Sequence, residues 1–268
     1  MINIIWESVI QEWRDWLKAA SRPGTTIRLR TYQIRRFAAD NAYPWNQTQK
    51  SIILWLAAQN WSPESRRSYR SALRTFYGWA HASGYIDHNP AALLPPVKVN
   101  HHPPRPTPEV VLARALLAAD PRVQLMILLA ARQGLRRGEI ALVHSRDLVE
   151  DLGGWSLRVH GKGDKERVIP LHSDLAGRLQ VLPWGWAFPG EKDGHLSPRW
   201  IGTLVKRALG EDGWTTHTLR HRFATSAYRG SRDLLAVQEL LGHSKPETTR
   251  NYVQLPDDAM RTALLGAA

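Results

Sequence analysis

The sequence predicts a mainly α-helical protein with a small antiparallel sheet, an α+β fold in two domains. Apolar residues recur at helical spacing through most of the chain. Strand-like patterns are confined to residues 145–172, where two of them flank a short glycine-containing turn. A segment at residues 94–108 holds six of the 17 prolines and cannot be a helix interior, because proline fixes φ and lacks a backbone donor. We therefore expect domains at residues 1–95 and 107–268, joined by a proline-rich linker at 96–106.

Four helices are expected in the first domain. They cover residues 6–19, a stretch from a Thr25 or Thr26 cap to residue 39, residues 51–59, and residues 63–80 with proline at the first helical position. Seven of the 12 tryptophans lie before residue 80. At these spacings they predict the core of a small helical bundle.

The second domain is expected to mix helices with three strands. The strands cover residues 145–149, 154–160 and 166–172, and the turn at 161–165 joins the last two as a hairpin. Helical patterns cover residues 108–119, 122–133, 198–209, 217–229, 232–241, 246–253 and 257–265.

Composition narrows the function. The chain has 268 residues, a net charge of +12 and a pI near 10.4, a balance that indicates an anionic partner, most often nucleic acid. The absence of cysteine excludes a disulfide framework and a thiolate metal site and fits a reducing cytoplasm. The first residues lack a signal-peptide pattern, and the apolar stretch at residues 123–131 is too short to cross a bilayer. A secreted toxin, a membrane protein and a zinc finger are poor interpretations.

Six dispersed residues could carry chemistry, although each has an ordinary structural explanation by itself. An arginine after a buried helix is usually a cap, a turn lysine is usually solvated, and a tyrosine near the C-terminus usually packs. His217 and His221 have the spacing of a metal pair, but no carboxylate-rich partner or HExxH pattern accompanies them, and GKGDK lacks the spacing of a phosphate loop. In chain order the six are Arg136, Lys162, His217, Arg220, His243 and Tyr252.

Together these residue types suit a phosphodiester held by side chains alone. Paired carboxylates, which would indicate metal-ion nuclease chemistry, are absent from the set. The planar fork of arginine matches two phosphate oxygens, and preorganised cations stabilise the charge that builds on them in the transition state. A phenol flanked by such cations or by a base becomes a usable nucleophile.

Five segments in order resemble the tyrosine recombinases, also called the phage integrase family. They read GLRRGEI, GKGDKERVIPL, HTLRHRFAT, LGHS and TTRNY. The first half is similar to the family's core-binding domain through EWRDWL, TTIRLRTYQIRRF and SPESRRSYRSALRTFYGWA. The resemblance spans nearly the whole chain. It implies a helical, SAM-like core-binding domain at residues 1–95 and a catalytic domain with a C-terminal tail at 107–268.

The resemblance also implies a role for each residue of the reaction. Tyr252 would attack the scissile phosphate and form a 3′-phosphotyrosyl link. Arg136 and Arg220 would clamp the non-bridging oxygens, and Lys162 on the hairpin turn would protonate the departing 5′ oxygen.

Three further residues would support that chemistry. His217 would act in proton transfer around the tyrosine, His243 would hydrogen-bond the phosphate, and Glu139 would orient its neighbours. Because the covalent intermediate stores the bond energy, no metal, ATP or other cofactor is expected.

Double-stranded attachment-site DNA is the expected partner, clamped between the two domains. Candidate DNA contacts in the first domain are Arg28, Arg35, Arg66, Arg70 and Arg74. The protein is expected to be a homo-oligomer, a dimer on one site and a tetramer in the synapse, with a possible accessory DNA-bending or directionality protein. It is expected in the cytoplasm, associated with the nucleoid of a bacterial host, and no membrane partner is expected.

The leading hypothesis is a site-specific recombinase that integrates and excises a phage or other mobile element. A type IB topoisomerase uses similar chemistry, and a DNA-binding descendant with a disused site is the non-enzymatic alternative. The apolar spacing of the tail at residues 259–265 favours a multimer, and all six catalytic positions are filled. The chain begins almost at the core-binding domain, which indicates a compact or Xer-like recombinase without an arm-binding domain. The sequence does not distinguish an integrase from a Xer-like recombinase or a transposon resolvase. It also does not identify the target DNA sequence.

Overall fold

The computed structural model describes residues 4–99, 103–161 and 165–242. The chain divides into two compact units, residues 1–101 and 102–268, each with a hydrophobic core of its own. The predicted fold class, mainly α with a small antiparallel sheet, is confirmed. Within the described ranges, no helix is both long and apolar enough to cross a membrane.

The first unit is built from four helices: α1 (Ile4–Ala19), α2 (Gly24–Asp40), α3 (Gln49–Ala58) and α4 (Pro63–Ala82). Side-chain caps start two of them, because the Thr48 hydroxyl accepts from Ser51 N and the Ser62 hydroxyl from Ser65 N. The expected threonine cap on α2 is wrong. That helix starts at Gly24 after Pro23 without a side-chain cap, so both threonines lie in its first turn.

Aromatic rings fill the core of this bundle, as the tryptophan spacing predicted. Trp6 packs edge-on against Phe37 with ring centroids 6.0 Å apart, and Trp13 packs edge-on against Phe76 at 5.3 Å. Such edge-to-face pairs are favourable beyond the area they bury. Trp16 is the exception, because its side chain is 42% exposed.

The second unit places a nearly all-buried helix at its centre. That helix, α6, begins at Pro121 after the Asp120 cap, and eight of its residues from Val123 to Ala131 are buried. The helices of this unit are α5 (Glu109–Ala118), α6 (Pro121–Arg132), α7 (Arg137–Ala141), α8 (Ser173–Gln180), α9 (Pro198–Leu209), α10 (Thr216–Ser231) and α11 (Leu234–Leu241).

A three-stranded antiparallel sheet lies beside these helices. Its strands are β1 (Leu148–Asp151), β2 (Gly154–His160) and β3 (Glu166–Pro170), in the order β1-β2-β3. The predicted hairpin is confirmed, with His160 opposite Glu166 in the register.

Other elements differ from the sequence-based prediction. Residues 145–147 form a 3₁₀ turn, started by the His144 ring accepting from Arg146 N, so the first strand begins later than expected. Helices α7 and α8 and the short strand β4 (Pro189–Lys192), which have five, eight and four residues, were not predicted. The helices expected at 246–253 and 257–265 lie outside the described residues.

Candidate active site

The first arginine of the candidate set lies at a sharp turn after the buried helix α6. The chain reverses at Gly134, whose φ is +64°, and a Cβ there would lie 2.4 Å from the Phe223 ring, so glycine is required. Arg136 then forms the N-cap of α7 and is 40% exposed. Its Nη1 donates to the carbonyl oxygen of Leu241 at 3.3 Å, at the end of α11.

The second arginine is buried on α10. Arg220 is only 1% exposed. Its guanidinium donates to the Gly134 carbonyl and, at 2.7 Å, to the Leu241 carbonyl. Both arginines therefore reach the carbonyl oxygen of Leu241, and the structure brings Arg136 and Arg220 together from positions 84 residues apart in the chain.

One carboxylate lies among these cations. Glu139, 4% exposed, accepts from Arg136 N at 2.8 Å and Arg136 Nη1 at 2.7 Å, and Arg220 Nη1 lies 3.7 Å from its Oε2. Burial by itself raises the pKa of this carboxyl, but hydrogen bonds and charge from Arg167 and Arg136 outweigh burial, so the net pKa is lowered. Glu139 is thus held as the anion, and it fixes the arginines around it.

Arg167 completes this cluster and was missed by the sequence analysis. It lies on β3 with a side chain 15% exposed, and its Nη1 and Nη2 donate to the two carboxylate oxygens of Glu139 at 3.0 Å each. Its Nε donates to the Leu240 carbonyl at 3.1 Å. The available signal was strand alternation: Arg167 shares a face with buried Ile169, so a cation pointed toward the interior. We call Arg136, Glu139, Arg167 and Arg220 the arginine cluster.

His217 lies one turn before Arg220 on α10. Its ring packs edge-on against that of His221, with ring centroids 4.7 Å apart. Partial desolvation, and then the positive charges of Arg220 and Arg136, lower the pKa of His217. The ring is therefore neutral at physiological pH and able to accept a proton. Among the described residues, no group of three potential ligands could hold a metal ion.

Three members of the predicted set, Lys162, His243 and Tyr252, lie outside the described residues. Described residues directly precede two of them, Lys162 and His243. Gly161 N donates to the Lys165 carbonyl at 2.7 Å and closes the base of the turn that contains Lys162. Gly242, left-handed at φ +63°, is the C-cap of α11 and immediately precedes His243.

Of the five arginines predicted to contact DNA, three bind groups of the first unit itself and two are exposed. Arg35 makes a bidentate ion pair with Glu7. Arg66 donates to the Leu56 and Gln59 carbonyls, and Arg70 donates twice to the Leu94 carbonyl, so these two bind the bundle's own backbone. Arg28 and Arg74 are exposed.

A polar groove between α2 and α4, which the sequence analysis missed, lies on the same unit. Its volume is about 310 Å³. Arg30 donates to the Ser71 hydroxyl at 3.0 Å and Gln33 to the Ser68 hydroxyl at 2.7 Å. The groove is lined by Thr26, Leu29, Arg30, Gln33, Glu64, Arg67, Ser68 and Ser71.

Comparison with known proteins decides the family. The model of the phage integrase family matches residues 111–258. The chain belongs to the phage integrase family. Tyrosine recombinase XerC of Rhodospirillum centenum is 35% identical over 92% of this chain and 82% of its own length, and tyrosine recombinase XerA of Thermococcus kodakarensis is 29% identical over 95% and 93%. This phage integrase family member is accordingly a site-specific tyrosine recombinase, an enzyme that breaks and rejoins DNA strands.

Solved structures agree with this assignment. The integrase from mycobacterium phage Brujita is 30% identical, covers 93% of this chain and 95% of its own, and superposes with a TM-score of 0.51. A lambda integrase dimer bound to a COC′ core site superposes with a TM-score of 0.73 at 22% identity, covering 92% of this chain and 76% of that one. The superposition on lambda integrase shows that this chain has the same fold as that protein.

Proposed function

We propose that this recombinase integrates and excises the genome of a phage or another mobile element. The observation that supports this role is the 30% identity to the Brujita phage integrase, because that match covers nearly the whole of both chains. The 35% identity to a XerC protein favours a Xer-like role as the second candidate. A type IB topoisomerase and a disused DNA-binding descendant receive no comparable support.

The experiment that separates the two roles uses the DNA that flanks the gene. A circular plasmid that cannot replicate and carries this DNA is introduced into a host expressing the recombinase, with Tyr252→Phe as the inactive control. Integration predicts stable chromosomal insertions whose junctions share one short core sequence. Insertions at random chromosomal positions would contradict integration. If no insertions form, but the recombinase resolves a plasmid that carries two directly repeated copies of the flanking DNA, the Xer-like role is favoured.

The proposed chemistry is metal-free transesterification. Tyr252 forms a bond to the scissile phosphorus while the bond from phosphorus to the 5′ oxygen breaks, and Lys162 donates its ammonium proton to that oxygen. Arg136 and Arg220 hold the non-bridging oxygens, His217 accepts the proton of the tyrosine, and His243 donates to the phosphate. The arginine cluster supports this proposal, since cations fixed before the reaction need no reorganisation during it.

Glu139 and Arg167 are positioning residues in this scheme. The Glu139 carboxylate accepts hydrogen bonds from the backbone N–H and the guanidinium of Arg136. These two bonds set the direction in which Arg136 faces the phosphate. Arg167 joins Glu139 to the Leu240 carbonyl, at the end of the helix that precedes His243. The lowered pKa of His217 supports its role as the base.

We infer that the first unit is the core-binding domain, with domain limits at 1–95, 96–106 and 107–268. Exposed Arg28 and Arg74, with Arg30 and Arg67 of the groove, are the proposed phosphate and base contacts. Arg35, Arg66 and Arg70 bind groups of their own unit, so their DNA contacts are secondary in this proposal.

The proposed working form is a dimer on each DNA site and a tetramer when two sites are paired. Related solved structures include a lambda integrase dimer on a core site and a lambda integrase tetramer bound to a Holliday junction. A DNA-bending or directionality protein is a proposed accessory partner. The cytoplasm, at the nucleoid of a bacterial host, is the proposed location because the substrate is DNA.

A further inference from the structure

His160 is the last residue of β2, two positions before Lys162, and its ring meets a carboxylate on each side. Its Nε2 is hydrogen-bonded to Asp147 Oδ1 at 2.9 Å. Its Nδ1 lies 2.9 Å from Oε1 of Glu166, the residue opposite it on β3. The ring thus connects the 3₁₀ turn, β2 and β3 at the base of the hairpin. We call Asp147, His160 and Glu166 the hairpin clamp.

The clamp rests on a buried group. The side chain of Asp147 is 2% exposed, and among the described residues its carboxylate has no side-chain hydrogen-bond partner other than His160. A buried carboxylate needs a partner, because removing the partner leaves an uncompensated charge. Asp147 therefore holds the His160 ring in place from the interior of the unit.

An imidazole ring suits this arrangement because it has two nitrogens that face in different directions. In His160 each nitrogen faces a carboxylate on a different element, which fixes the plane of the ring between the 3₁₀ turn and β3. On the same strand as His160, Arg158 places its Nε 4.0 Å from Glu166, whereas Arg167 on β3 pairs with Glu139.

We propose that His160 is a positioning residue that sets the hairpin turn so that Lys162 can reach the departing 5′ oxygen. The inference rests on the proposed role of Lys162 as the proton donor. The strands on either side of the turn are held at fixed spacing by the clamp and by the bond from Gly161 N to the Lys165 carbonyl. Displacing a catalytic group by about 1 Å can cost on the order of 10²-fold in rate, so the base of the turn matters to the reaction.

The test compares ordinary DNA with DNA whose 5′ bridging oxygen is sulfur, in single-turnover cleavage. A thiolate leaves without a proton, so a defect in proton donation disappears on the sulfur substrate. His160→Phe removes both contacts of the ring, and Glu166→Ala removes one. Glu166 is half exposed, so its variant keeps the test informative if His160→Phe does not fold. Glu150→Ala, an exposed carboxylate on β1, is the matched control.

The expected result is about 10²-fold slower cleavage of ordinary DNA for His160→Phe and about tenfold for Glu166→Ala, with rates near wild type on the sulfur substrate. Glu150→Ala should match wild type on both. Equal slowing on the two substrates, or no slowing on either, would overturn the inference. Lys162→Ala is run in parallel. If sulfur fails to rescue that variant, the proposed role of Lys162 fails. If sulfur rescues Lys162→Ala alone, only the role of His160 fails.

Discussion

At the scale of single residues, the main feature is one buried carboxylate shared by three guanidinium groups. Burying charges costs free energy, and the cost is offset only where geometry and hydrogen bonding are good. Here each arginine also donates to a backbone carbonyl at the end of α11. The cations therefore hold their geometry before any phosphate arrives.

The fork of Arg220 is predicted to be irreplaceable by lysine. An ammonium is a single point, so Arg220→Lys cannot bond the Gly134 and Leu241 carbonyls and also present a donor pair to phosphate. We expect DNA cleavage to slow by about 10²–10³-fold, the usual effect of removing one transition-state donor, as measured by single-turnover kinetics. Arg137→Ala, which removes an exposed neighbouring arginine, is the control and should retain full activity. If Arg220→Lys cleaves DNA at a near-normal rate, Arg220 does not hold the phosphate oxygens through a pair of donors.

The lowered pKa of Glu139 predicts an acid-sensitive contribution to stability. A carboxyl whose pKa is lower in the folded state stabilises the fold above its unfolded pKa of about 4.3, and this stabilisation disappears as the pH falls through the folded pKa. Glu139→Gln should therefore lower the free energy of unfolding by about 3–5 kcal/mol at pH 7, because it leaves the buried arginines without their carboxylate partner. The difference from wild type should shrink below pH about 4 in urea denaturation. A difference that does not depend on pH would contradict an ionised Glu139.

The sequence predicted part of this cluster. Arg136, Glu139 and Arg220 were identified because they lie in ordered motifs. Arg167 was not, because it lies in a strand pattern and its function depends on a contact with a residue 28 positions away. A pairing of that range follows from tertiary packing, which no local pattern encodes.

At the scale of elements, the end of α11 is where the arginine cluster meets the segment before His243. Gly242 has a φ of +63°, and a Cβ there would lie 2.9 Å from Arg167 Nη1. The left-handed cap is therefore needed both for its backbone angle and for the space beside Arg167.

Gly242→Ala is predicted to destabilise the protein by about 1 kcal/mol or more and to slow cleavage, because it strains the cap and displaces Arg167. The control is Gly230→Ala on α10, where a Cβ meets nothing within 4 Å. That variant should stabilise the protein by up to about 1 kcal/mol, the helix-propensity difference between glycine and alanine. The measurement is urea denaturation. If both variants changed stability in the same direction, the cap would not have this role.

The long helices and the hairpin were predicted from the sequence, whereas the short elements α7, α8 and β4 were not. Helices such as α6 and α10 have periodicity over three or more turns, and the hairpin has a recognisable turn. Helix α7 has five residues and is started by the Arg136–Glu139 bonds, so the site itself stabilises it. In the described part of the chain, strand β4 pairs through isolated bridges to His195. Tertiary contacts define these elements, and sequence patterns are too short to do so.

At the scale of the whole molecule, the net charge of +12 is matched to a polyanionic substrate. Exposed Arg28 and Arg74 are predicted to contact phosphates. Arg28→Ala with Arg74→Ala should lower the slope of log affinity against log salt by about 0.9 for each phosphate that is no longer neutralised. The measurement is DNA binding across a salt titration.

Arg35→Ala is the control for that titration, since its charge is already paired with Glu7. This variant should leave the salt slope near the wild-type value. A double variant with an unchanged slope, or a control with the larger change, would show that this surface does not hold the DNA backbone.

The central claim is that Tyr252 alone attacks the phosphate and that side-chain cations replace a metal ion. The most direct measurement traps the covalent intermediate on a nicked DNA substrate in EDTA and maps the adduct by mass spectrometry. We predict a 3′-phosphotyrosyl adduct on Tyr252, formed at the same rate with and without EDTA and absent from Tyr252→Phe. An adduct on another residue, or one that forms only when magnesium is added, would contradict the account.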